Sequence, residues 1–353
     1  MRTKAILAFF TALIFNLIAG TSLAMATGLN PTAIVGGGMG LSMLLPRSAG
    51  VTMAIQKEIW MSSIVEGLFA NNSFLSKAFN ADEFVNAGKT VHIPNAGAPS
   101  GVVKNRSSFP ATVTTRTDID LTFNLDEFTT DPIRIPHADT VELSYNKRES
   151  VISQDRAKLI ETVSNAFITA WSPASTQTIR TTGGAVLGHM PSATNNRKAF
   201  VKGDVQAAMV QFNKDDVPAD GRYLLLDAVM HAQLLDSLTD KEALAFYGAA
   251  DIANGIVGKL YGFNVMMRSK AGRYTSALAA KDWETAGAAT DHGAALAWHV
   301  NSVCRALGEV VMFDNVSDPT YYGDIYSFLV RAGGRPMRND VKGLLAIVQD
   351  TSA

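Results

Sequence analysis

From Val113 to Leu125 the sequence alternates without a break. Val113, Thr115, Thr117, Ile119, Leu121, Phe123 and Leu125 fall on one face, and Thr114, Arg116, Asp118, Asp120, Thr122 and Asn124 on the other. A period of two is the signature of a β-strand with one covered face. At about 3.4 Å per residue the run reaches roughly 44 Å, more than twice the usual strand. Its upstream partner is KTVHIP, where Val91 and Ile93 alternate with polar residues, and the intervening residues 94–110 hold three prolines and two glycines. This predicts a long hairpin with a loop at its tip, too long to stay on its parent domain. A two-stranded ribbon is marginal in water and exposes an edge. Its apolar face, Val113, Ile119, Leu121, Phe123 and Leu125, is therefore expected to lie on a neighbouring subunit.

After Pro132 and Pro136 the period changes. In residues 147–171, Leu159, Val163, Phe167 and Trp171 recur every four positions, backed by Ile152, Ile160 and Ile168, with charges opposite. This predicts a helix of about 37 Å, stopped by Pro173. We call it the spine, and its packing stripe is Leu159, Val163, Phe167 and Trp171. Upstream, Ile55, Ile59, Ile64, Leu68 and Phe69 predict an amphipathic helix over 54–69, and Phe74, Leu75, Ala78 and Phe79 a second helical patch. Downstream, residues 174–200 read as a polar, Gly-rich surface excursion. Helices are then expected over 205–212 and 228–238, strands over 223–227 and within 255–268, apolar segments AALAWHV and VVMF occur within 294–313, and a final pair runs over 321–330 and 341–348. Mixed α+β with long antiparallel ribbons is the fold class this order supports.

Chemistry is harder to find. The 353 residues carry 31 Lys plus Arg against 32 Asp plus Glu, a net charge of −1, which argues against a chain whose task is gripping phosphate backbone. Charged residues make up 18%, against a usual share of about 25%, which predicts a surface that partners cover. The single cysteine, Cys304, sits in an apolar run and reads as a small buried hydrophobe, and alone it excludes a multi-cysteine metal site. His92, His137, His189, His231, His292 and His299 share no metal-ligand spacing, no nucleophile elbow occurs, and Asp118 with Asp120 and Asp215 with Asp216 read as solvated pairs. Arg331, Arg335, Arg338 and Lys342 read as an ordinary solvated turn, with a turn facing anionic material as the alternative. No cofactor, no metal site and no catalytic residue is expected.

Residues 1–52 stand apart. Arg2 and Lys4 precede an apolar run from Ala5 to Ala19, small residues follow to Ala26, and no charge occurs from Ala5 to Leu45. That is the layout of a secretory signal, and the run is short for a membrane span. GGGMG at 36–40 lacks the lysine of a phosphate loop and reads as linker. An export signal, a processed or buried extension, and a true start at Met53 all fit.

The order of elements from Met53 onward resembles the major capsid proteins of tailed phages, which share the Hong Kong 97-type fold. KEIWMSSIVEGLFANNSFLSKAFN followed by VNAGKTVHIPNAG looks like the coat-protein arm entering the extended E-loop. TVELSYNKRESVISQDRAKLIETVSNAF looks like the strand leading into the spine helix, and KLYGFNVMMRS resembles an axial-domain strand. The resemblance covers residues 53–350. It implies an N-terminal arm over 53–87, an E-loop hairpin over 88–128, a peripheral domain with the spine helix over 129–174, an axial domain over 175–320 and a C-terminal ribbon over 321–353 returning to the peripheral domain. It further implies a structural protein, not an enzyme. Hexamers and pentamers would close an icosahedral shell around double-stranded DNA, in a virion assembled in the host cytoplasm, with scaffold, protease and portal proteins as candidate partners and no stable membrane association. Some members crosslink a hairpin lysine to a neighbour's asparagine; no motif fixes Lys89, Lys104, Asn315 or Asn339 in that role, so noncovalent assembly is expected. The charge-free residues 1–52 match no scaffolding segment and support a second reading, an exported periplasmic or surface binding module with a cleaved signal peptide.

Overall fold

A computed structural model of the chain describes residues 60–70, 72–86, 89–93, 102–107, 109–110, 113, 121–136, 147–338 and 340–352. All of them belong to one compact unit, Trp60–Ala353. In chain order, helix α1 (residues 60–70) is followed by short strands β1 (Phe79–Asn80), β2 (Val85–Asn86), β3 (Thr90–Ile93), β4 (Leu121–Asn124), β5 (Asp126–Thr129) and β6 (Ile133–Pro136), then by helix α2 (Lys147–Trp171). Next come β7 (Thr178–Arg180), β8 (Ala185–Leu187), β9 (Asn196–Lys198), α3 (Lys202–Lys214), β10 (Arg222–Asp227), α4 (Ala228–Ser237) and α5 (Asp240–Gly248). The chain closes with β11 (Ile256–Leu260), β12 (Phe263–Arg268), β13 (Gly272–Tyr274), β14 (His292–His299), β15 (Val303–Asp318), β16 (Gly323–Pro336) and β17 (Leu344–Val348).

Two sheets organise these elements. In the first, the order is β1-β15-β16-β5, with β6 further along β16. In the second, the order is β11-β12-β10-β14-β17-β7, with β13 added to β14. The second sheet is mixed: β10 runs parallel to β12 and antiparallel to β14, and β17 runs parallel to β7. Its strands are apolar on both faces, as a sheet covered on both sides must be. Leu224, Leu226, Ala295, Ala297, Leu345 and Ile347 join Val205, Phe212, Met230, Leu234 and Phe246 of α3, α4 and α5 in one core. Their neighbours Leu225, Leu296, Trp298 and Leu344 point the other way, into the core built on α2.

The spine helix α2 thus lies against both sheets. Leu159, Val163, Phe167 and Trp171 are each at most 5% exposed, in one core with Phe328, Val330 and Ala332 of β16 and Trp298 of β14. Aromatic rings meet at its C-terminal end, where Trp171 lies 5.7 Å from Phe74 and 5.9 Å from Trp298 between centroids. Both buried indoles find acceptors, Trp171 Nε1 donating to the Cys304 carbonyl and Trp298 Nε1 to the Lys77 carbonyl, each at 2.8 Å. Close approach of helix to strand requires Gly334. A Cβ there would sit 2.6 Å from Trp171 Nε1 and 2.6 Å from the Cys304 carbonyl oxygen.

Several expectations are corrected. The second helical patch is a 3-10 turn, Ser73–Lys77, that buries Phe74 and Leu75. Of the thirteen-residue alternation, Leu121–Asn124 form β4 against β3, the strand ends at Leu125 before β5 turns to pair with β16, and residues 114–120 lie outside the described residues. The final pair is no pair, because β16 belongs to the first sheet and β17 to the second. The expected ribbon 321–353 therefore divides between the two sheets. Residues 174–200 are more than an excursion, since β7 edges the second sheet and Thr181 and Arg197 are buried. Helix α5 adds to the expected elements, and its start is marked in the sequence by Thr-x-x-Glu, where the Glu242 carboxylate accepts from the Thr239 N–H and hydroxyl at 2.9 Å each.

Candidate functional site

The hairpin has a base and a tip with different surroundings. At the base, β3 and β4 pair with Val91 opposite Phe123 and Ile93 opposite Leu121. Leu121 is 6% and Leu125 9% exposed, in a core with Cys304 and Ala306 of β15, and Phe123 packs on its margin. Small side chains on β15 leave room for the leucines. Leu121, Leu125 and the base as a whole are thus covered by their own chain, which corrects the expectation of a free apolar face at these positions. Ile119, Asp118 and Asp120 lie outside the described residues.

At the tip the side chains have no cover. Val113 is 94%, Val102 98% and Phe109 77% exposed, with Val103 also exposed. Lys104 and Arg106 are exposed beside them, and residues 102–110 contain no acid.

Beyond the base, α2 and the β5–β6 segment enclose a groove of about 500 Å³. Phe128, Ile133 and Leu159 give it apolar walls, and Glu127, Asp131, Asp155 and Lys158 are its charged groups. Glu127 is engaged by Arg331 at 3.0 Å, and Lys158 leans toward Glu161 and Glu284 at 3.8 and 3.9 Å. Burial pushes the Asp155 carboxyl up.

The late basic residues are structural. Arg331 bridges Glu127 and Glu309 across three adjacent strands, Arg335 donates to the Thr122 carbonyl at 3.0 Å, and Arg338 pairs with Asp340 at 2.6 Å. Arg331 and Arg335 brace the hairpin base and Arg338 a turn, while Lys342 is exposed. Asp215 caps the end of α3 and takes a hydrogen bond from Gln211.

Among the described residues, no group of His, Cys, Asp and Glu has the geometry to hold a metal ion. Cys304 is fully buried, with burial pushing its thiol up to about 11. His189 Nε2 lies 2.7 Å from Asp227, whose other oxygen caps α4 through the Met230 N–H. Burial, with Arg197 and Arg180 nearby, pushes the His292 imidazole down to about 4. No described helix is long and apolar enough to cross a membrane.

No family model matches the sequence, and no curated protein does. Solved structures do. The chain is similar to the capsid protein of cyanophage P-SCSP1u at a TM-score of 0.53 and 16% identity, over 78% of this chain and 87% of that one. The capsid of a native GTA particle aligns at 0.52 and 10% identity, over 80% and 90%. The head structure of Helicobacter pylori bacteriophage KHP40 aligns at 0.52 and 13%, over 80% and 91%. These alignments run over most of each capsid chain, so this chain has the Hong Kong 97-type fold.

Proposed function

We propose that the chain is a major capsid protein that self-assembles into a shell, with hexamers and pentamers enclosing double-stranded DNA. The observation that carries this is the β3–β4 pair, packed on its own subunit, while Val102, Phe109 and Val113 of the segment that joins its strands stand in solvent. Exposed apolar residues of this size close together in sequence call for a partner surface, and every copy of the chain supplies the same segment. The fold, shared with coat proteins of assembled particles, supports the same reading. Charge supports it as well: at a net −1, the wall makes few fixed phosphate contacts, so packed DNA stays free to leave. Lining a groove or a pocket for chemistry is not needed in this role, and we assign no enzymatic activity or cofactor. Scaffold, protease and portal proteins remain the natural partners of such a shell, the virion its place and the host cytoplasm its assembly site. Nothing in the fold favours the exported binding module.

The test is electron microscopy and light scattering on the full chain expressed alone and with its neighbouring head proteins. Capsomer rings, tubes or shells of megadalton mass are expected. A discrete monomer or small oligomer under both conditions would overturn the proposal.

A further inference from the structure

Where β9, the start of β14 and residues 351–352 meet, the surface encloses a pocket of about 530 Å³. Asn196, Ser276, Thr290 and Thr351 stand exposed around its rim, and Arg197 and His292, at 3% and 1% exposure, form its floor. The polar groups of the rim are amides and hydroxyls, and no lining residue is acidic. Arg197 Nη1 donates to the Thr194 and Asn196 carbonyls, each at 3.1 Å, and Nη2 to the Ala289 and Asp291 carbonyls at 3.0 and 3.3 Å. All four acceptors are neutral. Carbonyl dipoles solvate a guanidinium without cancelling its charge, and a buried charge favours a counter-ion.

Arg222 is also held by neutral acceptors, so such a guanidinium is not by itself a site. Arg197 differs in lining an open, hydroxyl-rich pocket. Its Nε and the Nδ1 of His292 are buried with no hydrogen-bond partner among the described residues. Buried polar groups are ordinarily satisfied, and two orphans in one pocket wall point to a group for which the fold leaves room. The state of His292 agrees: burial first, then Arg197 and Arg180, hold its imidazole down to about 4. Asp291 and Asp350 pull the other way, but they are engaged by Lys281 at 2.9 Å and Lys198 at 2.8 Å.

We propose that this pocket binds a small oxyanion, a phosphate or phosphomonoester, with Arg197 supplying the charge and Asn196, Ser276, Thr290 and Thr351 the hydrogen bonds. Amide and hydroxyl groups donate to oxyanion oxygens, and a guanidinium suits phosphate. The pocket's size falls within the range of small-molecule sites and leaves room for a compact polar body on the phosphate. The source is a free small molecule rather than a DNA backbone, because a chain of net charge −1 offers little to a polyanion. This site goes beyond the coat-protein reading and does not depend on it.

Calorimetric titration of the full chain with inorganic phosphate and with glycerol 1-phosphate tests this, with glycerol as the neutral control. Saturable binding of both phosphates and none of glycerol is expected. Asn196→Asp with Thr290→Asp adds two carboxylates to the rim and leaves the carbonyl bonds of Arg197 in place, so phosphate affinity should fall about tenfold or more. Thr290→Lys should raise it several-fold, a gain that misfolding does not produce. Wild-type chain that binds neither phosphate saturably would overturn the proposal, as would an affinity unmoved by both rim variants, which places the anion elsewhere. A short DNA duplex that displaces phosphate from wild type, and binds the Asp variant more weakly, would overturn the free-ligand assignment in favour of a DNA backbone.

Discussion

At the residue scale, the second sheet carries buried histidines whose protonation is decided by their surroundings. His292 begins β14 at 1% exposure, and its imidazole is pushed down to about 4 by burial and by Arg197 and Arg180. Burial lowers His231 and His299 in the same direction. A histidine whose folded value lies below its unfolded value of about 6.5 binds its proton more weakly in the native state. Such a group leaves stability intact above pH 6.5 and removes it as pH falls from 6.5 toward 4. For His292 the whole effect is on the order of 3 kcal/mol, read as a melting temperature that drops several degrees across that window. His292→Gln should flatten the curve between pH 6.5 and 4 while leaving the neutral-pH melt within a few degrees of wild type. An unchanged curve would remove His292 from the account.

At the element scale, the spine helix is where sequence and structure agree most closely. The residues predicted to pack, Leu159, Val163, Phe167 and Trp171, are all buried, and the helix spans Lys147–Trp171. A stripe repeating every three to four residues from Leu159 to Trp171, more than three turns, leaves no competing period. Leu159→Ala should cost about 2–5 kcal/mol in urea unfolding, through lost contacts and a cavity between helix and sheet. Gly334→Val should cost at least as much, because its side chain would enter the space of the Trp171 indole and the Cys304 carbonyl. The hairpin was legible only in outline. Alternation at Leu121, Phe123 and Leu125 states that one face is covered, but not by what. Whether the cover is Cys304 and Ala306 of the same chain or another subunit depends on pairing across almost two hundred residues of sequence. The groove was invisible for the same reason: Asp131 and Asp155 belong to separate elements and line one groove only once the helix is laid on the strands.

At the scale of the whole molecule, the distinction between base and tip decides which changes harm the subunit and which harm only its assembly. Leu121 sits in the chain's own core, so Leu121→Asp places an uncompensated carboxylate there and should destabilise the isolated subunit by several kcal/mol. Phe109 is 77% exposed, and Phe109→Asp removes no contact the subunit makes for itself, so its melting temperature should stay within about 2 °C of wild type. Particle yield should nonetheless fall, because the tip loses its apolar anchor where a neighbour would bury it. Differential scanning calorimetry of the dissociated subunit and sedimentation of the assembled fraction separate the two effects. A Phe109→Asp chain that assembles normally, beside a Leu121→Asp chain that melts normally, would invert the assignment of tip and base and with it the division between what folds this protein and what joins its copies.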